Sequence, residues 1–484
     1  PVNLLRLLDE VDVLHVSGDG SVEVTSVEHD SRAVADGALF CCLPGRLSDG
    51  HDHAAEAVER GAVALLTERA VTLPEGTEVV QVRVAPGSAR PLMGRLASTL
   101  YGHPSRQLLM AGITGTNGKT TVAHLLSVIL RHAGIANLVI GTLTGTRTTP
   151  ESTELQRLLS EERDRGVEDK STHGAVMEVS SHALAQDRVE GITFDVAIFT
   201  NLSHDHLDFH GTMEAYWEAK ASLFRPGRAA QGIVFGDDPA GERLLNEARI
   251  PMRAVRRFDV IGVDLGFGWS RFVWHGRPVE IPLTGRFNVD NALLALEAAV
   301  ALGVEMDDAA FALGQSPAVP GRLEPVAVEG DESPFSVLVD YAHTPAGLEA
   351  VLTELAQLKK PGARTLLVFG CGGDRDKAKR PIMGTVAARL ADFVAVTSDN
   401  PRNEDPVRII EEIRTGVETA PQRRAEVVYE PDRRAAIALA IERAEPGDVV
   451  LLAGKGHETT QEQGGRTIAF DDRTVAREVL ACFR

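Results

Sequence analysis

The sequence predicts an α/β protein of three domains, and three observations carry that expectation. Apolar runs of strand length alternate with helical patterns along most of the chain; the alternation restarts near residue 319 after a Pro-Gly pair; and 484 residues exceed what one or two ordinary cores hold. Residues 1–104 show short strand patterns at 22–27 and 63–66 and close at Gly102-His103-Pro104, which predicts a small mixed α/β N-terminal domain. From 105 to 318, strands such as Ala175-Val176-Met177 and Val196-Ala197-Ile198-Phe199 alternate with helical stretches, as in a mostly parallel sheet covered by helices. From 319 to 484, after Val319-Pro320-Gly321-Arg322, apolar runs at 337–339, 366–369, 393–396 and 449–452 predict a doubly wound, Rossmann-like C-terminal domain. The polar stretch at 160–165 reads as a solvated loop or helix face.

Composition narrows the function classes. With 43% hydrophobic and 25% charged residues the chain can bury large cores, and a net charge of -19 without any sustained Lys/Arg run argues against nucleic acid as a partner. Cys41, Cys42, Cys371 and Cys482 have no metal-ligand spacing, so neither a zinc site nor a disulfide framework is expected. No stretch is long and apolar enough to span a bilayer, and Pro1-Val2-Asn3 lacks the pattern of a signal peptide. A cytoplasmic protein without membrane insertion, acting as a monomer on small molecules, is the expectation.

The chemistry begins at Gly112-Ile113-Thr114-Gly115-Thr116-Asn117-Gly118-Lys119-Thr120. An apolar run, 108–111, precedes this glycine-rich segment, and Val122, Leu125, Leu126, Ile129 and Leu130 follow at helical spacing until Gly134. Strand, loop and helix form a cradle in which backbone N–H groups and a helix N-terminus face phosphate, Lys119 reaches the β/γ oxygens and Thr120 can ligate Mg²⁺. The segment therefore marks a P-loop, ATPase-like central domain, although Ile113 stands where the common spacing has glycine. A tight strand-to-helix turn without a ligand is the bland alternative. Further on, Glu178 and the cluster Asn201-Leu202-Ser203-His204-Asp205-His206-Leu207-Asp208-Phe209-His210 each follow a predicted strand, where the ligand crevice of an open sheet lies. The cluster is also similar to the signature of dinuclear metallohydrolases, except that His210 falls one residue too late.

These residues, with Glu178-Val179-Ser180-Ser181, Tyr216 through Lys220 to Phe224, Gly285-Arg286-Phe287-Asn288, Asn291, Pro320-Gly321-Arg322 and Asp340-Tyr341-Ala342-His343-Thr344-Pro345, resemble the Mur ligases of peptidoglycan synthesis over essentially the whole chain. Asp30-Ser31-Arg32, Asp49-Gly50-His51, Thr148-Thr149-Pro150, Asp399-Asn400-Pro401-Arg402 and Gly454-Lys455-Gly456-His457-Glu458 point to the branch that adds the third peptide residue.

The resemblance implies ATP-dependent attachment of meso-diaminopimelate to the D-Glu side-chain carboxylate of UDP-MurNAc-L-Ala-D-Glu through an acyl phosphate. It implies that Gly115 to Thr121, Asn288, Asn291, Arg322, Asp340 and His343 surround ATP, with Arg322 and Asp340 arriving only on domain closure. Thr120, Glu178 and His206 would hold Mg²⁺. Lys220 would be carbamylated by CO₂ and hold a second Mg²⁺; on spacing alone it is an ordinary helix-face lysine. Ser31, Arg32, His51, Thr148, Thr149, Ser180, Gln186 and Arg188 would take the UDP-sugar-dipeptide, Arg188 by pairing with a carboxylate. Arg375, Asp399, Asn400, Arg402, Gly454 and Glu458 would take the amino acid, with Arg402 bidentate on the distal carboxylate that L-lysine lacks. Without the motif, Arg402 reads as a surface turn residue, and Arg322 and His343 as a cap partner and a turn histidine. The chain departs from the family at Ala378, where glycine is usual, and at Thr460, where an aromatic residue is common. Ligases that add L-lysine or L-ornithine, folylpolyglutamate synthase and a non-catalytic ATP-binding scaffold are the alternatives.

Overall fold

The computed structural model describes all residues except 10, 46–47, 146, 328–332 and 483–484. Three main sheets follow one another along the chain. The first orders its strands as His15–Ser17, Val80–Arg83, Ala62–Thr67, Ala38–Cys41 and Ser26–Glu28, parallel apart from the edge strand His15–Ser17. The strand expected at 22–27 divides at Thr25. Glu23–Val24 pairs antiparallel with Val2–Asn3, whereas Ser26–Glu28 joins the main sheet.

The second sheet is wholly parallel, in the order Met252–Val255, Ala229–Phe235, Phe194–Phe199, Leu109–Thr114, His173–Glu178, Ala136–Ile140. Its inner strands are apolar on both faces because helices cover both, chiefly Lys119–His132 and Arg286–Ala301 on one side and Ser152–Asp169 and Met213–Ala221 on the other. The polar stretch 160–165 belongs to the helix Ser152–Asp169. It is not uniformly solvated: Glu162 is buried, with its carboxylate 2.8 Å from His173 Nδ1. A three-stranded antiparallel sheet, Val260–Gly266, Trp269–Trp274 and Arg277–Ile281, also packs onto this core, a departure from the expected α/β alternation.

The third sheet runs Glu324–Pro325, Ser336–Asp340, Val449–Ala453, Thr365–Phe369, Phe393–Val396, Glu426–Tyr429, parallel except at the first edge strand. Its helices start where local chemistry says they should. Thr344 and Asp405 cap helices whose first residue is Pro345 or Pro406, and Asp432 and Asp471 cap the next two. The carboxyl ends of the second and third sheets face one another, and that apposition creates the site.

Candidate active site

Between the two carboxyl edges lies a cavity of about 780 Å³. The phosphate loop lines one wall. Its strand runs on to Thr114, with Ile113 buried and paired beside Ile198 and Glu178, so position 113 belongs to the sheet and the loop proper is Gly115–Gly118. Both glycines have positive φ, 145° and 90°. A Cβ on Gly115 would strike Thr200 and one on Gly118 would strike Asn291, so only glycine admits this turn.

Lys119 is folded back on its own loop, with Nζ donating to the Gly115 and Thr116 carbonyls at 2.9 Å each. Lys220, the last-turn residue of Met213–Ala221, is 1% exposed and donates to the same Gly115 carbonyl at 2.7 Å. Burial first, and the Lys119 ammonium second, drive the Lys220 pKa well below the ordinary lysine value. Lys220 is therefore not the solvated helix-face lysine that spacing alone suggests: it lies behind the phosphate loop, where burial favours the neutral amine.

The Thr120 hydroxyl donates to Glu178 Oε2 at 3.0 Å, and the Thr142 N–H donates to Glu178 Oε1 at 2.9 Å. His206, at φ 53°, faces the same space. Burial, with a smaller contribution from Lys119 and against the attraction of Asp205, lowers its pKa to about 4, so the ring is neutral and has a lone pair to offer. The metallohydrolase pattern does not assemble. The His210 ring is engaged by Ser181 at 3.0 Å, the His206 and His210 rings each meet the His182 ring edge-on, and among the described residues no three His, Cys, Asp or Glu side chains converge as a metal site.

Next to the third sheet, Arg322 reaches the phosphate loop in this arrangement of the domains. Its Nη2 donates to Thr120 Oγ1 at 3.1 Å and its guanidinium lies over the Tyr341 ring at 4.8 Å. Asp340 accepts the N–H groups of Leu323 and Ala342 at 2.8 and 2.7 Å, fixing the turn beside the cavity. His343 bonds the Tyr341 carbonyl at 2.8 Å, and burial lowers its pKa to about 4. Asn288 and Asn291 project from the start of Arg286–Ala301 toward the loop.

The far wall is made by Arg375, Asp399, Asn400, Arg402, Gly454 and Glu458, all six brought together as expected. Arg402, at φ 52°, is held by Glu462 at 3.0 Å and the Gly373 carbonyl at 2.8 Å. Asn400 donates to Glu458 at 2.7 Å, and the buried Lys455 ammonium joins Asn400, Glu458 and the Thr460 carbonyl. Lys455, Tyr341 and Lys379, whose Nζ bonds the His343 carbonyl at 2.8 Å, are site residues that sequence reasoning left without a role. The first two sat inside quoted motifs, which was the available signal.

Thr148 and Ser180 line the cavity, and Thr149 sits just behind it, bonded to the Glu178 carbonyl and to Ser180. Arg188 does not point a free guanidinium at the cavity. It pairs with Glu151 at 3.0 Å and bonds the Thr149 carbonyl and Gln186. Glu151 also meets Arg90 and Arg147, which links this region to the first sheet. Ser31, Arg32 and His51 lie apart from the cavity: Ser31 bonds Glu56, Arg32 is exposed and paired with Asp30, and His51 is buried with both ring nitrogens engaged by Asp49 and the Glu68 N–H.

Comparison with known proteins agrees with this geometry. The Mur ligase family catalytic domain matches residues 23–101, the Mur ligase middle domain 113–299, and the Mur ligase glutamate ligase domain 321–456. A UDP-N-acetylmuramoyl-L-alanyl-D-glutamate--2,6-diaminopimelate ligase of Streptomyces coelicolor is 44% identical, covering 99% of this chain and 96% of the relative. The protein of that name from Geobacillus kaustophilus is 43% identical, covering 99% of each. A solved structure of such a ligase aligns over 100% of this chain and 99% of its own with a TM-score of 0.67 at 30% identity. The folylpolyglutamate synthase of Mycobacterium tuberculosis shares the fold alone, at 19% identity over 80% of this chain. Full-length relatives at this identity and three consecutive domain matches establish that the chain belongs to the Mur ligase family.

Proposed function

We propose that this chain uses ATP to join meso-2,6-diaminopimelate to the D-glutamyl side-chain carboxylate of UDP-N-acetylmuramoyl-L-alanyl-D-glutamate, a step in building peptidoglycan. The observation that carries the reading is a single cavity with a phosphate loop on one wall and a polar, arginine-bearing pocket on the other, so that triphosphate and amine open onto the same space. The names of full-length relatives support the substrate pair.

A carboxylate is a poor acyl donor, so its oxygen first takes the γ-phosphoryl group of ATP and ADP leaves. The amine then attacks the acyl phosphate, and the tetrahedral intermediate expels phosphate to leave the amide. Backbone N–H groups at 115–118 and the Lys119 ammonium hold the transferring phosphate once Lys119 leaves the carbonyls it now bonds. Among the described residues lining the cavity, ten carboxylates face six lysines and arginines, an excess of negative charge at a site for a polyanion, and that excess suits divalent cations. Mg²⁺ bound by Thr120, Glu178 and His206 would supply the positive charge that lets two anions approach. Lys220, buried and biased toward the neutral amine, is fit for carbamylation, which would turn it into an anionic ligand for a second Mg²⁺.

Choice of amine rests on Arg402. A distal carboxylate can add to its guanidinium beside Glu462, a charge-assisted pairing that L-lysine cannot make, worth about 2.5 kcal/mol or roughly fiftyfold. The test is phosphate release with mass detection of product, supplying ATP, the dipeptide acceptor and either diaminopimelate or L-lysine. Turnover with diaminopimelate at least about fifty times that with lysine is expected; equal rates would remove the role of Arg402, and no turnover with either would reject the proposal.

A further inference from the structure

The two loops that form the amine pocket leave strands that are not neighbours. Ser398 leads from Phe393–Val396 into Asp399-Asn400-Pro401-Arg402, and Ala453 ends Val449–Ala453 just before Gly454. Thr365–Phe369 lies between the two strands, so no ladder hydrogen bond sets the distance between those ends.

The loops themselves meet through Asn400, Glu458 and Lys455, and at the strand ends Arg433 spans the gap. Arg433 begins the helix Arg433–Glu442, and its Nη1 donates to the Ser398 carbonyl at 3.2 Å while Nη2 donates to the Ala453 carbonyl at 3.0 Å. Asp472, the first residue of Asp472–Ala481, holds the same guanidinium bidentately, with Nε to Oδ1 at 2.8 Å and Nη2 to Oδ2 at 2.6 Å. Both side chains have zero exposure, and neither lines the cavity.

A buried ion pair contributes little net stability, because desolvating two charges offsets their attraction; apolar residues of similar volume often serve as well or better. An apolar pair cannot, however, bond two carbonyls at a set separation. The planar fork of arginine can. We propose that Arg433, oriented by Asp472, is a positioning residue that fixes the separation of the two amine-pocket loops and thereby sets affinity for the incoming amino acid. This rests on the reading of that pocket as the amine site.

The test compares Arg433→Lys and the double replacement R433M/D472L with the wild type, measuring KM for each substrate, kcat and thermal melting. A lysine keeps the charge, but one ammonium cannot bond both carbonyls and the carboxylate in the same geometry. In Arg433→Lys, KM for the amine is expected to rise at least about tenfold while KM for ATP stays within about twofold. The double variant, apolar and of similar volume, is expected to melt within about 5 °C of the wild type yet keep the raised amine KM. An unchanged amine KM in either folded variant, an equal rise in the KM for ATP, or failure of both variants to fold would overturn the role. Wild-type enzyme inert toward diaminopimelate would instead reject the underlying reading, and KM would then be read for whichever amine supports turnover.

Discussion

Lys220 illustrates what a residue's surroundings add to its letter. In Trp217-Glu218-Ala219-Lys220 nothing local distinguishes it from a solvated helix lysine, yet it is buried against the Gly115 carbonyl, 105 positions away, and beside Lys119. Like charge and desolvation both favour the neutral amine, whose lone pair would attack the carbon of CO₂. The phosphate loop is the opposite case, since its glycines, Lys119 and Thr120 declare their chemistry in sequence because the backbone itself does the binding. For Lys220→Ala, kcat is expected to fall about 10²-fold or more while the fold is kept, and a carbamate carbon seen by NMR in ¹³C-bicarbonate is expected in the wild type alone. A carbamate signal persisting in the variant would place the modification elsewhere.

Among the elements, the helices of the third sheet were the most legible, since Thr344-Pro345 and Asp405-Pro406 combine a cap with a proline at the first helical position. The antiparallel sheet at 260–281 was missed. Its turn was there to read in His275-Gly276, at φ 46° and 78°, but the alternation of Trp269–Trp274 was obscured by apolar residues on both of its faces. Pairing between helices was also hidden. Arg380, fully buried on Lys379–Leu390, reaches Glu412 on Pro406–Glu418 at 2.7 Å and Glu404, just before that helix, at 3.0 Å, and it bonds the Gly372 carbonyl beside the amine pocket. Hydrogen bonds from Arg380, against some burial, hold the Glu404 carboxyl at about 2, below the usual 4.5. A carboxylate with a lowered folded-state pKa contributes stability that is present above pH 4.5 and is lost as pH falls toward 2. Glu404→Gln is expected to lower stability by about 1–3 kcal/mol at pH 7 in urea titrations, with the gap to wild type closing below pH 4.5. A gap independent of pH would mean that packing, not charge, is responsible.

At the scale of the whole molecule, two sheets present their carboxyl edges to one cavity, and the chain crosses between them at 319–322. Gly321, at φ 65°, has no room for a side chain, since a Cβ would run into the backbone of Gly456 and His457; the crossing is thereby packed onto the loop at 454–458. Next to it, Arg322 bonds Thr120 and covers Tyr341, so one side chain ties the third sheet to the phosphate loop of the second. A short stretch of chain thus contacts both the phosphate loop and the loop at 454–458. Arg322→Ala is expected to raise KM for ATP about tenfold or more and to give a larger radius of gyration by small-angle scattering in the presence of nucleotide. An unchanged radius together with a raised KM would confine Arg322 to ATP contact and remove it from closure.

The sequence by itself determined the strand and helix alternation, the phosphate loop and the ordered motifs of the family, because these depend on backbone conformation and on residues close in the chain. Only the tertiary structure decided that Ile113 belongs to a strand, that Lys220 is buried behind the loop, that Glu151 occupies Arg188, and that Arg433 bridges two strand ends across a third. Each of these depends on burial and on partners tens of residues apart, and neither is written in local spacing.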